Sequence, residues 1–116
     1  MATPGAIQAM RQLAACIDAT IARLHIKVDT LADGPDREEA CTIGNLLAEA
    51  ADHIKALTSP CYIDTLDDKA QTRIMLQIAP AGLAISPVLR RVNRYLDGKD
   101  DDCSGVAALL AQAKLN

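Results

Sequence analysis

The stretch IQAMRQLAACIDATIARLHIKVDTLADGPDREEACTIGNLLAEAADHIKAL, residues 7–57, holds two long apolar seams joined at Gly34-Pro35. The first runs Ile7, Met10, Ala14, Ile17, Ile21, Leu24, Val28, Leu31, and its steps alternate between three and four throughout. The second runs Ala40, Ile43, Leu47, Ala50, Ile54, Leu57 with the same alternation. That spacing keeps one face of a helix against a partner. A glycine-proline pair stops the first helix, and a connection this short folds the second back antiparallel. The stretch therefore predicts a long αα-hairpin.

The first helix is expected from about Pro4 to Asp33, with Thr3 as N-cap and Pro4 at the first helical position. Gly34 suits the left-handed residue that closes a helix. Asp36 and Glu39 form a D-x-x-E capping pattern for the second helix, which runs to about Thr58. Gly44 lies inside that helix and marks a close approach by a neighbour.

Beyond the hairpin the elements shorten. Ser59 to Ile63 reads as a connection, and Asp64 or Thr65 caps a third helix whose inner residues are Leu66, Ala70, Ile74 and Ile78. Ile74-Met75-Leu76 broadens its buried face. Pro80 ends or kinks it, leaving residues 81–85 as either a kinked continuation or an apolar loop. Ser86-Pro87 reads as an N-cap and first residue of a short fourth helix, with Val88, Leu89, Val92 and Leu96 inward. Asp102 or Ser104 caps a last helix to about Leu115, with Val106, Leu109, Leu110 and Ala113 inward.

The expected fold is all-α: a long antiparallel hairpin completed by two or three shorter helices into a four- or five-helix bundle. The 116 residues form a single domain, because no linker or internal repeat divides them. The core must be aliphatic, since Tyr62 and Tyr95 are the only aromatic residues. Few stretches alternate with the period of two that strands need, so strands are not expected.

Composition narrows the function. A net charge of −3 disfavours general binding to nucleic acid or anionic membrane. No continuous apolar run approaches the roughly 18 residues of a bilayer-spanning helix. Residues 1–5, Met-Ala-Thr-Pro-Gly, lack the regions of a secretory signal, so a cytoplasmic protein is expected. The compactness suggests a bacterial or phage origin. Cys16, Cys41, Cys61 and Cys103 contain no C-x-x-C. With the hairpin turning at Gly34-Pro35, Cys41 lies opposite about Val28, roughly 18 Å from Cys16, beyond disulfide reach. Reduced cysteines are expected, although nothing in the spacing separates Cys61 from Cys103.

Each constellation that carries chemistry competes with a simpler reading. His25 and Asp29 are four apart, as are Glu49 and His53, and each pair can offer two metal ligands on one helical face. The hairpin separates the pairs by about 13 Å, and the Glu-x-x-His of di-iron bundles is absent, so surface i,i+4 pairs are the better account. No metal or cofactor is expected. Cys16 and His53 reach similar heights, but Cys16 sits off the seam and no oxyanion site accompanies it, so a thiol dyad is not expected. Asp97 to Asp102 does not fit a calcium loop, because Lys99 falls at position 3 and Asp102 at position 6. The P-loop, G-x-G-x-x-G, G-x-S-x-G and H-E-x-x-H motifs are absent. The chain is read as not an enzyme.

Arg90, Arg91 and Arg94 make a basic face that can receive a partner's carboxylates or phosphates. Ile26 lies almost opposite the first seam and represents surplus apolar surface. Together these residues favour a non-enzymatic protein–protein interaction module, an inhibitor, adaptor or small regulatory subunit, of the kind phages and mobile elements encode. Its partner would be another protein or a second copy of the chain. The alternatives are a small-molecule or metal-binding bundle and a nucleic-acid-binding regulator using the same three arginines. Nucleic acid is the weaker partner, because the basic patch is short and lacks interleaved aromatics.

Overall fold

A computed structural model describes residues 3–100 and 103–112. The chain is all-α, with α1 (Thr3–Thr30), α2 (Pro35–Thr58), α3 (Pro60–Ile63), α4 (Asp68–Leu96) and α5 (Val106–Gln112). No strand occurs among the described residues. The molecule is a rod of 50 × 22 × 22 Å.

The two seams meet as their spacing requires. Ile17 and Leu24 of α1 are fully buried, as are Ile43, Leu47 and Ile54 of α2. The antiparallel sense is fixed by contacts that pair early residues of α1 with late ones of α2. Arg11 donates two hydrogen bonds, 2.8 and 3.0 Å, to the carbonyl of Thr58, and Asp18 pairs with Lys55. The helix ends differ from expectation. α1 stops at Thr30, three residues early, and its helical span already includes Thr3, whose side chain lies outside the description. Gly34 is the N-cap of α2, with φ 157° and ψ −174°, rather than a left-handed closure of α1. Pro35 occupies the first helical position and no side-chain cap forms, so the Asp36–Glu39 capping pair is not used. Glu39 instead accepts a hydrogen bond from the backbone N–H of Ala107, 3.3 Å away at the start of α5.

The principal correction concerns the second half. The expected third and fourth helices are one continuous helix of 29 residues that carries Pro80 and Pro87 in its interior. Residues 81–85 are helical, and Ser86 is not a cap; its hydroxyl donates to the Gly82 carbonyl at 2.9 Å. Each internal proline removes one helical donor, from the Leu76 and Leu83 carbonyls respectively. The helix tolerates this because both prolines are exposed, so the freed carbonyls lie toward water rather than core. Asp67 is the true N-cap, accepting from the Ala70 N–H at 2.8 Å. The residues expected as a connection at 60–63 form the short helix α3, which buries Ile63.

Joined in this way, α4 is long and apolar enough to cross a membrane by length and composition alone, yet 39% of the relevant window is buried inside the bundle. Its inner face comprises Ile74, Met75, Ile78, Ile85, Val88, Leu89 and Val92. Leu76, expected inward, points out and is 71% exposed.

Two successive reversals make α4 parallel to α1. Met10 and Leu13 contact Gly82, Thr20 contacts Asn93, and Arg23 contacts Asp97, so the two helices advance together. The bundle is thus up-down-up, with α5 packed against α2 and α4 at the end where α2 begins. α5 buries Val106 and Leu110 but leaves Leu109 exposed. The expected continuation to Leu115, including Ala113, and the Asp102 cap lie outside the described residues.

Candidate interaction surface

The outer face of α4 is built by a second periodicity, out of phase with the core. Positions Lys69, Arg73, Leu76, Pro80, Leu83, Pro87, Arg90 and Arg94 step by four and three, and all eight are exposed. Residues so spaced form one stripe along a helix. Its centre is apolar and its two ends are basic. Leu76 and Leu83, at 71% and 77% exposure, are the most exposed large hydrophobic side chains among the described residues.

Beside this stripe runs a groove of about 350 Å³ between α1 and α4. Ala6, Ala9, Met10 and Leu13 form one wall, and Met75, Ala79, Gly82 and Leu83 form the other. Small side chains keep it open. Gly82 also sets the approach of the helices: a β-carbon there would meet the Met10 and Leu13 tips at 3.2–3.3 Å. The close approach expected at Gly44 is looser, since a β-carbon there would meet Leu24 at an ordinary 3.6 Å.

Beyond the groove, the α1/α4 contact becomes polar. The Asn93 amide donates to the Thr20 hydroxyl and to the Leu89 carbonyl, both at 3.1 Å. Arg23 donates to Asn93 Oδ1 at 2.9 Å and pairs with Asp97. Lys27 lies 5.4 Å from the centre of the Tyr95 ring, a cation–π contact.

The three arginines singled out in the sequence diverge. Arg91 turns toward the start of α5 and donates to the Ser104 carbonyl at 3.0 Å. Arg94 pairs with Asp100 at 3.3 Å. Arg90, one turn before Arg94 on the stripe, enters no ion pair among the described residues. Ile26 is 70% exposed on a different helix, six residues beyond the Thr20–Asn93 contact. Its face also exposes Gln8, Gln12, Ala15, Ala19 and Ala22, all uncharged.

His25 and Asp29 line a shallow depression together with Cys41 and Asn45. Among the described residues, no three histidine, cysteine or acidic side chains are placed to share a metal ion. His53 is half-buried and Cys16 is exposed, and no hydrogen bond joins them. Cys16, Cys41 and Cys61 are exposed thiols, and Cys103 is buried. The Lys55 pKa is raised, chiefly by its hydrogen bond to Asp18.

Leu76 and Leu83 were the residues missed in the sequence. Their signal was present, because the four-three stepping of the outer stripe runs straight through both prolines. Treating Pro80 as a helix end cut that stripe in two. No protein-family model, curated protein or solved structure matches this chain.

Proposed function

We propose that this chain is a non-enzymatic protein-interaction module that works through its helical surfaces. The observation that carries this reading is the apolar area left in solvent. Leu83 lines the apolar groove and Leu76 lies two turns before it on the same exposed stripe, and exposed apolar surface of this kind is what a docking partner removes from water. Ile26 offers a second, smaller area on α1. Arg90, with Arg94 beside it, supplies orientation more than affinity. The exposed thiols of Cys16, Cys41 and Cys61 fit work in a reducing compartment, and we place it in the cytoplasm.

The nucleic-acid alternative is weakened by the geometry of its own residues. Arg91 and Arg94 already serve a backbone carbonyl and an aspartate, so the three guanidinium groups do not present one phosphate-binding face.

The test is affinity capture from the source cells with wild type, Ile26→Asp and Leu83→Asp, each checked by circular dichroism. A stoichiometric partner retained by wild type and lost by either folded variant supports the module. Identical recovery by all three, or no partner at all together with a monomeric solution mass, would sink it.

A further inference from the structure

We infer that the groove between α1 and α4 receives an amphipathic helix of another protein, one carrying acidic residues at both ends of an apolar centre. The inference rests on the interaction-module reading and names the occupant of one surface. Three observations select that occupant.

The first is shape. The groove is open along its length, and Ala6, Ala9, Ala79 and Gly82 keep its walls low. Small residues allow a third helix to approach two others closely, and Met10 and Leu13 add flexible apolar surface to the α1 wall. Laying an apolar helix face into such a groove is a recurrent mode of recognition. Pro80 and Pro87 add polar handles, because the Leu76 and Leu83 carbonyls have lost their helical donors on that side.

The second is charge. Lys69 and Arg73 stand at one end of the stripe, and Arg90 and Arg94 at the other. Asp68 borders the first end and Asp100 occupies Arg94, so Arg73 and Arg90 are the cations best placed to meet a partner. They are seventeen residues apart, roughly 25 Å or five helical turns. A complementary ligand needs carboxylates separated by about the same distance.

The third argues against a second copy of this chain pairing through the same stripe. The stripe is symmetric about the midpoint between Ala81 and Gly82. Pairing two copies antiparallel sets Arg73 against Arg90 and Lys69 against Arg94. Pairing them parallel sets each cation against itself. Either arrangement places like charges together, which opposes association.

The test uses the full chain and labelled synthetic helices of about 24 residues, long enough to span both cationic ends. One peptide carries Leu and Ala at i, i+3, i+4 and i+7 with glutamates at both ends. A second has the same centre with lysines at the ends. Fluorescence anisotropy should show the glutamate-ended peptide binding at least roughly tenfold more tightly, with the preference shrinking as salt rises. Leu83→Asp should weaken that binding by roughly tenfold or more. The double variant Arg73→Glu, Arg90→Glu should reverse the preference between peptides, a readout that mere loss of folding cannot mimic. Equal affinity for the two peptides, or no binding by either, overturns the inference. So does partition onto phosphatidylserine vesicles, or a solution dimer, that Leu83→Asp abolishes. Should the cellular partner be retained by Leu83→Asp but lost by Ile26→Asp, this inference fails while the module reading stands.

Discussion

Helix α1 has two neighbours and meets them by different means. Against α2 it offers an uninterrupted aliphatic seam, with Ile17 and Leu24 facing Ile43, Leu47 and Ile54, all fully buried. Polar contacts such as Arg11 to Thr58 and Asp18 to Lys55 lie at the rim. α4 brings an apolar inner face of its own, with Ile78, Ile85 and Val92 buried, but beside it the contact with α1 has a close approach at Gly82 and a polar group of Thr20, Arg23, Asn93 and Asp97. A regular seam supplies area, but because the same residue types recur along it, it marks register only weakly by side-chain identity. A buried hydroxyl that must meet one amide has a single acceptable height. The α2 seam therefore rests on aliphatic area, and on the α4 side the polar group adds a mark of register to the parallel pair.

The sharpest way to break this contrast is to open a cavity in the seam. Ile54→Ala removes a fully buried side chain and should cost roughly 2–5 kcal/mol in urea unfolding. A loss below about 1 kcal/mol would mean that the seam collapses around the gap and does not rest on that aliphatic area. On the other face, Asn93→Leu leaves the buried Thr20 hydroxyl without its amide donor and should cost about 1–3 kcal/mol. Adding Thr20→Val should recover part of that loss, since replacing both partners of a buried hydrogen bond is far cheaper than replacing one. The recovered double variant should then show broadened α4 amide signals in NMR if register is what the polar pair provides. Sharp signals at wild-type shifts would assign register to the connections instead.

The same contrast explains what could be read from the residues. The seams of α1 and α2 were legible, because helical periodicity and a Gly-Pro turn act locally and agree. The α4 face was not. A proline in a sequence usually ends a helix, and whether it does depends on which side it faces. Pro80 and Pro87 sit seven apart on the outer stripe, where losing a donor is offset by water. That fact appears only once the inner face is known. Glu39 was misassigned for a related reason. Its spacing from Asp36 is right for a local cap, but α5 offers it the Ala107 N–H from across the fold. Tertiary partners of this kind leave no periodic mark. The candidate surface divided in the same way: Arg90 and Ile26 were visible as exposed residues, whereas Leu76 and Leu83 were hidden by the supposed helix break.

The two buried helical glycines give a finer comparison. Gly44→Ala adds a β-carbon at an ordinary contact distance from Leu24, so the helix-propensity gain should survive, up to about 1 kcal/mol. Gly82→Ala forces the Met10 and Leu13 tips to move by a few tenths of an ångström. Its gain should be smaller than at Gly44 or reversed. Thermal melts of the two variants side by side decide it, and a larger gain at Gly82 would show that the α1/α4 approach is not set by that glycine.

The smallest expected effect lies at the rim of the seam. The Lys55 pKa is raised above its ordinary 10.5, first by the hydrogen bond from its ammonium to Asp18. A group whose folded pKa lies above its unfolded value stabilises the fold fully below the unfolded value. That contribution is lost as pH rises through the folded one. The pair is about half exposed on both sides, so solvent screens it and the contribution is slight. Wild type should therefore unfold at marginally higher denaturant than Asp18→Asn at neutral pH, with the two converging above pH 10.5. Convergence under high salt at neutral pH would identify the effect as the rim charge pair. A gap that persists through both conditions would mean that Asp18 acts through packing, and would move part of the α1/α2 contact from the dry seam to its edge.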